Sequence, residues 1–140
     1  MTNDTEAPST VDPATFDVHP LYVLINAAQA VSDAEVALQA AAKRVRERAE
    51  SIEADLDRGR SVNSLGELQG AGPTLDVCCG RLELAVQNFK QTDAYLGRNL
   101  EQARQVTDPT VKFAPAVISM VEWFDKTVAA SPRLRAEVRS

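Results

Sequence analysis

Residues 21–57 read LYVLINAAQAVSDAEVALQAAAKRVRERAESIEADLD, and this stretch decides the fold. It holds neither glycine nor proline, and most of its residues are strong helix formers. Leu24, Val31, Leu38, Val45 and Ile52 recur every seven residues. Leu21, Ala28, Glu35, Ala42, Ala49 and Leu56 form a companion series three residues earlier. Two interleaved series of this kind lay one stripe along a helix, as in a coiled-coil heptad. At about 1.5 Å per residue the helix would be roughly 55 Å long.

Downstream, Gly59 supplies a stop, and Ser64 with Glu67 reads as a capping box for a second helix. That helix carries its own pair of series: Leu68, Leu75, Leu82, Phe89, Leu96 and Ala103, and Leu65, Gly72, Cys79, Val86, Asp93 and Leu100. Asp108 and Pro109 break the pattern. In an antiparallel hairpin, facing residues have numbers that add to a constant. A constant of 124 sets Leu56 against Leu68, Val45 against Cys79 and Val31 against Asp93, with small residues mostly facing large ones. A third helix begins near Pro115, with Val117, Val121, Phe124 and Val128 on one face and Met120 and Trp123 beside it. Its natural seat is the first half of helix one, which is apolar nearly all round.

The expected architecture is therefore all-α: a long antiparallel two-helix hairpin, coiled-coil-like, with a short third helix packed on its base. The helices are placed at residues 20–58, 65–106 (bent near 70–73) and 115–130, with the turn at 59–64. Residues 1–17 hold Pro8, Pro13 and four acids without a basic residue, and read as a disordered acidic tail. Residues 131–140 read as a C-terminal tail that frays or continues as a short helix.

Composition narrows the function classes. Of 140 residues, 44 % are hydrophobic and 25 % charged, as in a single globular domain. The abundance of alanine and arginine suggests a GC-rich bacterial genome. Four of the twenty acids lie in the tail, which leaves the body near neutral and argues against general nucleic-acid binding. No run is apolar enough to span a bilayer, and the acidic start lacks the form of a signal peptide, so a cytoplasmic location is expected.

Sites with chemistry are few. GELQGAGPT at residues 66–74 has clustered glycines, but no Lys-Ser/Thr follows and no strand precedes it, so it is a helix bend rather than a phosphate loop. Cys79 falls on a core series, and Cys78 on a flanking stripe of small residues; both read as packing. Glu35 and Asp93 are the lone acids in their series, and a metal-binding helical bundle built on them is an alternative reading. The single histidine, His19, lacks the spacing such a centre uses. No nucleophile, base and stabiliser come together, so no enzyme and no cofactor are expected.

In size and hairpin shape the chain is similar to the small secreted helical-hairpin proteins of actinobacterial type VII secretion. The Trp-x-Gly turn that defines them is absent, because the turn reads GRSVNSLG at residues 59–66 and Trp123 lies far away. The first expectation is a non-catalytic interaction, adaptor or assembly protein. It would act through Ala27, Ala34 and Ala41 on one helix, Ala71, Cys78 and Ala85 on the other, and Arg58 and Arg60 at the hairpin end. A protein partner or a homodimer would complete a bundle. A DNA-associated regulator is a third option.

Overall fold

The computed structural model describes residues 17–62 and 65–139. They form four helices and no strand: α1 (His19–Asp57), α2 (Leu65–Arg104), α3 (Ala114–Ala130) and α4 (Pro132–Arg139). The long helices pack on one another and the shorter ones pack on them, as the heptad pattern requires. Residues 1–16 and the capping-box Ser64 lie outside the described residues. Asp17, grouped above with the tail, is the start signal of α1. Its Oδ1 accepts the His19 N–H at 3.0 Å and occupies one of the donors a helix start leaves open.

The chain divides into two compact units, and both long helices contribute to each. The first comprises residues 17–32 and 86–139. Leu21, Leu24, Ile25, Ala27, Ala28 and Val31 of α1 are buried there, with Val86, Phe89, Leu100 and Ala103 of α2. Val117 and Phe124 of α3 close the core, and the Phe89 and Phe124 rings stack with centroids 6.4 Å apart. Arg104 grips Asp125 with two hydrogen bonds, of 2.9 and 2.7 Å, tying α2 to α3.

Of the two alternatives for residues 131–140, the structure shows the short helix, α4. Ser131, fully buried, ends α3 with its N–H on the Val128 carbonyl and starts α4 by accepting the Leu134 N–H on its Oγ, each at 3.1 Å. Pro132 takes the first helical position, where a missing N–H is harmless. Leu134 is then wholly buried, and Glu137 sits 3.6 Å from Lys90 of α2. Helix α3 is entered through Phe113, whose φ of 69° is left-handed and unusual for a side chain of that bulk.

The second unit spans Asp33–Ala85. Its turn is made as the sequence reads: Gly59 adopts φ 66°, Arg60 N–H reaches the Asp55 carbonyl at 2.8 Å, and Gly59 N–H reaches Leu56 at 3.2 Å. Those two bonds are the Schellman pattern that satisfies orphan carbonyls at a helix end. The register differs from the expected one. Arg48 Nε pairs with Glu67 Oε2 at 2.6 Å, and Ala41 and Thr74 line one hollow with Arg44 and Ala71. These pairs add to 115, not 124, a slide of about 13 Å at 1.5 Å per residue. Helix α2 thus starts about level with Glu50, and Leu56, expected against Leu68, is 64 % exposed.

The seam is also rotated. Ala41 is buried and Ala34, Leu38, Val45 and Ile52 are half-buried, whereas Ala49 is exposed. On α2 the inward residues are Leu68, Ala71, Leu75, Cys78, Leu82 and Ala85, while Gly72 and Cys79 are exposed. The seam thus takes in flanking small residues, Ala34 and Ala41 on α1 and Ala71, Cys78 and Ala85 on α2. Helix α2 runs unbroken through Pro73, and an added Cβ at Gly66, Gly70, Gly72 or Gly80 would meet nothing within 4 Å. Gly72, which falls on a heptad series, is thus outside the seam and makes room for no side chain across it.

Candidate functional site

The residues expected to meet a partner are largely used within the chain. Ala27 and Ala41 are buried, and Ala34, Ala71, Cys78 and Ala85 are half-buried in the units just described. Only Arg58 and Arg60, beside the Gly59 turn, are fully outward. Cys79, placed in the core by its heptad position, is exposed, and both cysteines are free thiols.

The two acids of the metal reading do not share a unit: Glu35 lies in the second and Asp93 in the first. Asp93 is exposed rather than set in a seam, and its carboxylate folds back over Gly97, where a Cβ would meet Oδ1 at 2.8 Å. Among the described residues, no three His, Cys, Asp or Glu side chains gather as metal ligands would. Nor, among those residues, is any helix long and apolar enough to cross a membrane.

Two surfaces of the second unit stand out once its seam is known. The first is the outward face of α2. Val77 and Leu84 are one heptad apart and 51 and 68 % exposed. Gly66, Pro73 and Gly80 share their side of the helix at spacings of three, four and seven, so the backbone there is almost bare. Sequence reasoning missed this face because the glycines were assigned to a bend. The signal was present as an apolar pair seven apart and off the seam.

The second is a hollow of about 310 Å³ between α1 and α2. It is lined by the small residues Ala41, Gly70 and Ala71 and by the polar Arg44, Thr74 and the Arg48–Glu67 pair. The slide of the helices creates it: small residues come opposite one another, and two arginines one turn apart stand over the gap.

In the first unit a larger hollow of about 550 Å³ is lined by Asp93, Arg98, Leu100, Arg104, Phe124 and Val138 among others. Arg104 there is committed to Asp125, whose hydrogen bond raises its pKa further above the ordinary arginine value and locks it as a cation. On the adjoining loop, the Thr110 hydroxyl and N–H both donate to Asp108 Oδ1, at 2.7 and 3.0 Å. Those bonds hold the Asp108 carboxyl below its usual pKa. Both groups are structural fasteners.

Comparison of the chain with protein-family models, with curated proteins and with solved structures gives no match.

Proposed function

We propose that this protein is a non-catalytic helical interaction protein, an adaptor or assembly subunit that engages its partner through helix–helix contact. The observation that carries the reading is the outward face of α2. Val77 and Leu84 project from a stretch where glycines leave the backbone open, and both side chains are more than half exposed among the described residues. Small residues beside apolar knobs suit close helix packing, and a partner covering a 68 % exposed leucine would remove apolar surface from water. The alanine stripes have no comparable freedom, because they form the seam.

The test is capture from the cells that make the protein, in parallel with light scattering over a range of concentrations. Leu84→Glu should abolish the captured partner, or the dimer, while leaving helical content unchanged. Leu56→Glu, at an equally exposed leucine near the turn, should leave binding intact. A protein that stays monomeric and captures nothing, or loses its partner equally with both variants, overturns the reading.

A further inference from the structure

We propose that the hollow over Ala41, Gly70 and Ala71 binds a small carboxylate carrying an apolar chain, with Arg44 as the carboxylate's partner. Helix α1 presents Arg44 and Arg48 one turn apart in the hollow's lining. Arg48 is occupied by Glu67 at 2.6 Å, and that pair is neutral as a unit. Arg44 forms no ion pair among the described residues, so the hollow carries one uncompensated positive charge. A guanidinium takes a carboxylate through two parallel N–H donors, which fixes the ligand's head.

The remainder of the ligand is specified by the small lining residues. Two alanine methyls and a bare glycine offer apolar contact but no hydrogen-bond donor of their own side chains, so they suit methylenes rather than a sugar or a base. The volume of about 310 Å³ is at the lower end of small-molecule sites and admits a medium-length chain. Thr74 gives the lining one further hydroxyl, which lies 3.5 Å from the Gly70 carbonyl. The space above Gly70 is open, because a Cβ built there meets no atom within 4 Å. A dianionic phosphate fits less well: one free guanidinium would leave a charge uncompensated, and Glu67 would repel it.

Octanoate titrated into the full chain and followed by amide NMR tests this, with octylamine as the matched control. Octanoate should shift the Gly70, Ala71 and Thr74 amides saturably, and octylamine should not. Arg44→Gln should weaken octanoate binding about tenfold or more, the loss expected for one charge-assisted pair. Gly70→Leu fills the hollow with a better helix former, so it should abolish binding in a chain that stays folded. Equal shifts from acid and amine, no saturable shift with octanoate, or binding unchanged in Gly70→Leu overturns the proposal. Neither Val77 nor Leu84 lines the hollow, so a Leu84→Glu chain that no longer captures its partner should still bind octanoate.

Discussion

At the scale of single residues, the two left-handed positions divide by what they do. Gly59 at φ 66° makes the turn that closes α1, and no other residue type adopts that conformation without cost. Gly59→Ala should destabilise the protein by about 1–2 kcal/mol, measured as a lower urea midpoint at unchanged slope. Gly59 was legible because a glycine after a long glycine-free helix has one obvious use. Phe113 was not legible, since nothing in VKFAP marks a phenylalanine for positive φ. Cys79 was misread for a different reason: neighbouring helical positions lie about 100° apart, so a modest rotation of the seam exchanged it for Cys78.

At the scale of elements, helix existence was plain and helix pairing was not. Residues 19–57 and 65–104 are helical as the sevenfold spacing predicts, but that spacing repeats and so accepts several registers. The Arg48–Glu67 pair and the exposure of Leu56 show the slide. In the SPRL run at residues 131–134, Ser before Pro can both end one helix and start the next, and the buried Ser131 does both. Residues 65–80 of α2 combine Pro73 with four glycines at which an added Cβ would meet nothing within 4 Å, so this stretch is intrinsically poor helix. Gly72→Ala and Gly80→Ala should each stabilise the protein by about 0.5–1 kcal/mol, seen as a raised melting temperature. A loss at either position would mean that the bare backbone is in contact with something the chain itself does not provide.

At the scale of the whole molecule, burial is unequal. Among the described residues, every fully buried large side chain belongs to the unit formed by residues 17–32 and 86–139; the other unit contributes only Ala41 and Leu82 to the buried apolar set. Backbone amides of residues 66–80 should therefore exchange with solvent far faster than those of residues 21–31 and 117–128. Phe124→Ala, which empties the space beside Phe89, should cost about 3–5 kcal/mol in global unfolding. Uniform exchange along α2 would contradict this division. The division itself was partly visible in the sequence, as the change in α1 from an apolar half to a charged half. The contribution of Leu134 was not, because one leucine among three arginines carries no periodicity.

The well-buried unit is assembled from two separated pieces of chain, and this sets a schedule for biosynthesis. Its α1 face, from Leu21 to Val31, leaves the ribosome roughly one hundred residues before Phe124 and Leu134, which help to cover it. At translation speeds of about 5–20 residues per second, that interval is on the order of 5–20 seconds. Residues 86–103 of α2 emerge part-way through it; until then the most apolar stretch of the nascent polypeptide has only its own helix and whatever chaperone is at hand to keep it from aggregating.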